Sequence, residues 1–103
     1  MTVTIGEVTS SSDEEKFKGR MLTVTGGKLM EIQSSDIKVE ENRGDYFYVI
    51  CKGDFTKYTS MSGRVSELLK EGKQLKVEIK GIFVDHNLTY ATLEPCVISN
   101  LEK

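Results

Sequence analysis

Two tyrosines placed two residues apart, Tyr46 and Tyr48, are the residues best suited to hold a flat ligand. Alternate residues of an extended strand share one face, so Lys52 continues the tyrosine face. A tyrosine ring offers a nucleobase a stacking surface worth roughly 1–3 kcal/mol per base, and lysines beside it neutralise phosphates. We therefore predict that the two tyrosines stack bases, with phosphate contacts from four basic residues: Lys38, Lys52, Arg20 and Arg43.

A structural explanation of the same residues stays open. Tyrosine is a good strand former on any half-exposed sheet. Lys76 and Lys80 alternate with Glu78, and cross-strand charge pairing accounts for such a pattern as well as ligand binding does. Side-chain type alone does not separate a binding face from an ordinary solvated face.

The sequence contains few residues or motifs that indicate catalysis or cofactor binding. His86 is the single histidine and falls in a predicted polar turn, where a turn residue is the ordinary interpretation. There is no phosphate-binding glycine loop and no paired Cys/His spacing for a metal. We expect a protein that is not an enzyme, with no catalytic residue, no metal and no cofactor.

Length and composition indicate one small globular domain. The chain has 103 residues, of which 38% are hydrophobic and 29% charged, with a net charge of −2. Residues 16–80 carry a surplus of four basic residues and the two ends are acidic, which weakly favours an anionic partner. No apolar run approaches the roughly 20 residues of a membrane span. Because no basic start or apolar stretch typical of a secretory signal is seen, we predict a cytoplasmic location and no membrane partner.

The two cysteines, Cys51 and Cys96, leave two interpretations open. They form a disulfide if the strands that carry them are neighbours. Buried free thiols are the interpretation that we favour for a cytoplasmic protein.

Hydrophobic alternation predicts five strands. The first covers 18–33 and bends at Gly26-Gly27, the second is 36–41 and the third 46–52, with Phe47, Val49 and Cys51 inward. The fourth begins at Leu75, and the fifth covers 88–99, where Pro95 indicates an edge or a bulge.

One helix is predicted between the third and fourth strands. Val65, Leu68 and Leu69 form its apolar stripe, Ser60 or Ser62 caps its start, and Gly72 ends it in the left-handed conformation. The order of strand, strand, strand, helix, strand, strand is that of the OB-fold, a five-stranded Greek-key barrel. Another small sheet topology is the alternative. We assign 16–100 to this mostly β domain and 1–15 to an acidic, serine-rich segment that includes a loop.

Several positions resemble small bacterial OB-fold proteins of the tRNA-anticodon-domain-like family. They are Gly19-Arg20, Val49 with Cys51, the stretch 69–81, and Leu93 with Cys96 and Ile98. The resemblance spans about 17–98 and implies the OB-fold, nucleic-acid binding and proximity of the two cysteines.

The leading hypothesis is a non-catalytic module that binds single-stranded DNA or RNA across the second and third strands. The alternative is a protein-interaction module, an inhibitor or an assembly subunit, that uses the same face or the edge at Pro95. The sequence does not predict an oligomeric state.

Overall fold

The computed structural model describes residues 2–9, 14–41, 47–87 and 89–101. Its strands and helices, in chain order, are β1 (Thr2–Thr4), α1 (Ile5–Val8), α2 (Glu14–Phe17), β2 (Met21–Ile32), β3 (Asp36–Glu41), β4 (Tyr48–Lys52), a 3-10 helix (Thr56–Met61), α3 (Ser62–Lys70), β5 (Lys76–His86) and β6 (Tyr90–Leu101). The predicted turn at 42–45, Tyr46 and Leu88 lie outside the described residues.

Five strands close into a mixed barrel. The order is β2-β3-β4-β6-β5, and β5 pairs back with β2. β4 and β6 run parallel, while the other neighbours in the barrel are antiparallel. The 3-10 helix and α3 lie between β4 and β5. The sequence prediction of a mostly β, five-stranded barrel with one helix at this point is confirmed.

The alternating residues face inward as predicted. Leu22, Val24, Ile37, Val39, Val49 and Cys51 are all at most 1% exposed. Phe47 is the exception, because it is 42% exposed although it shares the parity of Val49. It precedes the first paired residue of β4 and lies beyond the closed part of the barrel.

β2 bends where the glycine pair predicts. Its register with β5 shifts between Val24 and Gly27, and Gly26 takes a φ of 76° that only glycine adopts without cost. At Gly27, a Cβ would collide with the side chain of Val39. Gly26 therefore allows the backbone conformation of the bend, and Gly27 allows the close packing of β2 against Val39.

The helix begins differently from the prediction and ends as predicted. Met61, not Ser60 or Ser62, occupies the N-cap, and no side chain caps it, because the 3-10 helix runs directly into α3. Gly72 has a φ of 75°. Its N–H donates to Leu69 and the N–H of Lys73 donates to Leu68, the paired bonds of a Schellman motif.

Pro95 lies in a bulge and not at an edge of the barrel. Between Gly81 and Phe83, β5 advances two residues while β6 advances three, from Leu93 to Cys96. The extra residue keeps β6 paired with β5 on both sides of the proline. Of the two predicted alternatives, the bulge is correct.

The N-terminal segment contributes to the core. β1 pairs in parallel with β2, and Val3, Ile5 and Val8 are at most 3% exposed. Thr4 and Glu7 form a capping box that starts α1. Residues 2–9 thus pack on the barrel. Of the predicted loop, residues 10–13 lie outside the described part of the chain, and the boundary between 15 and 16 remains a prediction.

Cys51 and Cys96 form a disulfide with a Cα–Cα distance of 5.3 Å. The expectation of free thiols is therefore wrong. Cys51 lies opposite Leu93 on the neighbouring strand β6, and the bulge at Pro95 brings Cys96 within reach. Both residues are buried, at 0% and 2% exposure.

Candidate binding surfaces

The outer wall of β3, β4 and β6 carries part of the predicted nucleic-acid site. Tyr48 and Lys52 lie on β4, and Lys38 lies on β3 opposite Ile50. Arg20 is elsewhere, since its backbone pairs with Phe83 at the start of β2. Tyr46 and Arg43 lie outside the described residues. The structure therefore brings together three of the six predicted site residues.

Both faces of the Tyr48 ring are occupied. On the β6 side, the ring stacks on Tyr90 with centroids 5.2 Å apart and an angle of 14° between the planes. Lys38 Nζ lies over the ring, 4.4 Å from its centroid. Since β3 and β6 flank β4 on opposite sides, these two neighbours cover opposite ring faces. A nucleobase stacking on Tyr48 must first displace one of them.

Acidic side chains interleave with the lysines of this wall. Lys38 Nζ lies 3.8 Å from Glu40 Oε2. Lys52 is paired in register with Asp36, and Lys38 with Glu31 of β2. The wall consequently lacks the continuous basic track that a phosphate backbone follows.

Tyr90 is the residue of this wall that the sequence analysis did not select. It opens β6 directly opposite Tyr48, and its hydroxyl accepts a hydrogen bond of 3.2 Å from Asn87 Nδ2. The alternation of Tyr90 with the buried Ala91 marks it as outward-facing. Its pairing with Tyr48 depends on a parallel register that local pattern does not reveal.

A second surface lies along β6, where one edge of the strand is open. β4 pairs with β6 only from Tyr90 to Leu93, while β5 pairs with it as far as Leu101. Between residues 97 and 101, no described strand covers the edge of β6 that faces away from β5. Val97, on this stretch, is 57% exposed, the highest exposure among the large hydrophobic residues described.

A notch of about 100 Å³ lies beside this open edge. Its lining is Asp54, Phe55, Lys57, Tyr58, Val97 and Ile98. The Phe55 and Tyr58 rings contact each other at 6.4 Å between centroids, and Lys57 Nζ lies 5.1 Å from the centroid of Tyr58. The notch therefore combines the apolar side chains of Tyr58 and Val97 with two charged ones, Asp54 and Lys57.

Asp54, the acidic residue of the notch, is engaged by its own turn. Its Oδ1 accepts hydrogen bonds from the hydroxyl of Thr56 at 2.8 Å and the N–H of Thr56 at 3.2 Å. These bonds, with Lys57 nearby, hold the pKa of the Asp54 carboxyl below its usual value. The Asp54 carboxylate thus hydrogen-bonds the first residue of the 3-10 helix.

A larger groove of about 300 Å³ lies at the bend of β2. It is lined by Thr25, Gly26 and Gly27 on one side and by Lys76, Val77, Glu78 and Asn100 on the other. Its charged side chains are of opposite sign, and its shape follows from the shift of β2 against β5. Nothing in its lining selects one ligand chemistry.

His86 takes a structural position. It ends β5 instead of lying in the predicted turn, and its Nε2 contacts the carbonyl oxygen of Thr9. The histidine therefore ties the N-terminal segment to the barrel. Among the described residues, no group of three or more His, Cys, Asp or Glu side chains is arranged to hold a metal ion.

Comparisons with known proteins return no match: no protein-family model, no curated protein and no solved structure is significantly similar to the chain. The resemblance to tRNA-anticodon-domain-like proteins stays a prediction. Within the described ranges, no helix has the length and apolar character needed to cross a membrane.

Proposed function

We propose that the chain is a non-catalytic OB-fold module that binds a protein partner. The fold assignment is supported by the strand order β2-β3-β4-β6-β5, closed onto β2, with a helix between β4 and β5. This is the strand sequence of a Greek-key OB barrel. A fold does not determine a ligand, so the ligand is inferred from the surfaces of the barrel.

The open edge of β6 is the observation that carries the protein-binding proposal. A closed barrel removes strand edges, and an edge that remains exposed is a template for pairing with another polypeptide. Val97 adds an exposed apolar side chain to this edge. Backbone groups that none of the described strands pairs, beside an exposed apolar side chain, suit a protein ligand better than a phosphate backbone.

Single-stranded nucleic acid is the second candidate, and the Tyr48–Tyr90 stack favours it. OB-folds bind oligonucleotides across this wall, and Lys38 and Lys52 provide positive charge there. On this hypothesis Tyr46, Arg43 and Arg20 keep their predicted contacts. We rank it second because Lys38 and Tyr90 occupy the ring faces and acidic residues interrupt the lysines.

The disulfide bears on where the protein works. Disulfides persist in oxidising compartments and are rare in the cytosol. Because Cys51 and Cys96 are bonded, we propose an oxidising compartment in place of the cytoplasm that the sequence analysis predicts. A cytosolic population with reduced cysteines, detected by thiol alkylation in the source cells, would contradict this location.

Two measurements test the choice of ligand. Fluorescence anisotropy of labelled oligo-dT and oligo-rU at low and high salt should show no binding at micromolar protein. Binding that weakens with salt and is lost in Tyr48→Ala would instead support the nucleic-acid hypothesis.

The second measurement places a photo-crosslinking amino acid at Val97 or, as a matched exposed control, at Val84. A protein that crosslinks at Val97 alone, and that then binds the purified chain, supports the proposal. Equal crosslinking at both positions contradicts it.

A further inference from the structure

The open edge of β6 has the geometry of a strand-addition site. Residues 97–101 extend over roughly 17 Å and pair with β5 on one side, with a register shift that leaves Ser99 as an extra residue between Ile98 and Asn100. The 3-10 helix lies beside them, and the notch between it and β6 opens onto the same edge.

The notch determines what the added segment must carry. Alternate side chains of a strand point to opposite faces, so one side chain of an added strand faces Val97 and Tyr58. A volume of about 100 Å³ accommodates one aliphatic side chain of moderate size. A valine, isoleucine or leucine at that position buries apolar surface against Tyr58 and Val97.

Charge around the edge is uneven. Lys57 lies at the rim of the notch, and Lys80 is paired in register with Val97. At the far end of the edge, Glu78 is paired with Asn100. Asp54 is held by Thr56. The Val97 end thus carries two lysines against the single carboxylate of Asp54, which makes it the more basic end. At the Asn100 end, the charge of Glu78 is offset by Lys76.

We infer that β6 between residues 97 and 101 binds an extended peptide segment of another protein, which adds as a strand to the barrel. The segment places an aliphatic side chain in the notch of Tyr58 and Val97. It carries an aspartate or glutamate at the Val97 end, opposite Lys57 and Lys80. Main-chain hydrogen bonds supply affinity in this mode, and the pocket supplies specificity. This inference rests on the proposed protein-binding function and deepens it.

The test begins with display selection of random peptides of about ten residues, enough to span the edge, on the immobilised oxidised chain. Enriched peptides should alternate aliphatic with other residues and carry an acid at one end. The best synthetic peptide is then measured by isothermal titration. Methylating the backbone nitrogens that face β6 should abolish its binding, whereas methylating those on the other edge should not.

Four variants locate the site. Val97→Lys and Lys57→Glu should weaken the peptide by at least about tenfold, as central contact residues do. Val84→Lys and Lys70→Glu are the matched controls, exposed and away from the edge, and should change affinity by less than about twofold. Selection on Lys57→Glu should shift the enriched peptides from acidic to neutral or basic residues. Circular dichroism confirms that each variant is folded.

The outcomes separate the inference from the proposed function. Peptides that bind Val97→Lys as well as the wild type, or a selection that enriches nothing, overturn the strand-addition site. Salt-dependent oligonucleotide binding through Tyr48 overturns the protein-binding function itself.

Discussion

Breaking the bond between Cys51 and Cys96 should cost the protein a large share of its stability. The bond joins β4 to β6 and closes a loop of 45 residues. A cross-link stabilises mainly by restricting the unfolded chain, and a loop of this length corresponds to about 4 kcal/mol at 25 °C. Domains of this size have a free energy of unfolding of about 5–15 kcal/mol in total, so the loss is easy to measure.

Urea denaturation followed by far-UV circular dichroism suits this measurement, because the chain has no tryptophan. One sample is oxidised. The other is unfolded, reduced and refolded with the reductant present, because both cysteines are buried in the native state. We expect the free energy of unfolding to fall by about 4 kcal/mol, and the melting temperature to fall by about 15–30 °C.

The double variant Cys51→Ala/Cys96→Ala is the control. It should unfold identically with and without reductant, which separates the bond from other effects of the reducing agent. A difference below about 1 kcal/mol between oxidised and reduced wild type would show that the disulfide does not stabilise the protein by loop closure, because that contribution is several times larger.

Four further predictions concern packing, helix propensity and titration. Gly81→Ala places a Cβ 2.8 Å from the Cβ of the buried cysteine on β6, and should lower the free energy of unfolding by about 1–3 kcal/mol. Gly63→Ala, in an open part of α3, should raise it by up to about 1 kcal/mol, both measured by urea denaturation. Ile5→Ala should lower the free energy of unfolding by about 2–5 kcal/mol in the same assay, since Ile5 is fully buried in the N-terminal segment. A loss below about 0.5 kcal/mol, as is usual for exposed residues, would show that this segment does not pack on the barrel. The carboxyl of Asp54 should titrate below the usual aspartate pKa in ¹³C NMR spectra, and Thr56→Val should raise that pKa, because the Thr56 hydroxyl bond is its largest cause. Because the pKa of Asp54 is lower in the folded than in the unfolded protein, its ionised carboxylate stabilises the fold. This contribution is present above the unfolded pKa and is lost as pH falls through the folded pKa.

Local pattern was enough to predict the barrel strands and the end of the helix. Leu22 and Val24 alternate with polar residues because a strand has two faces, and the structure buries both. Gly72 predicts its own left-handed conformation, because only glycine adopts it without strain. Strand alternation and the end of a helix depend on residues that are close in the sequence, so the sequence alone is enough to predict them.

Features that depend on distant residues could not be predicted in the same way. The core position of Ile5 requires a parallel pairing between β1 and β2 across the acidic stretch that separates them. The stack of Tyr90 on Tyr48 and the disulfide both depend on the register between β4 and β6. The edge of β6 is open because β4 is shorter than β6 and pairs with only its first four residues. The sequence does not show which strands are neighbours in the barrel, so this edge could not be predicted.

Amide hydrogen exchange of the oxidised chain, with and without a selected peptide, tests most directly whether β6 is the binding edge. We expect that amides between residues 97 and 101 that point away from β5 exchange quickly in the free protein and become protected when the peptide binds. Protection confined to the wall of Tyr48 and Tyr90, with the exchange of residues 97–101 unchanged, would contradict it.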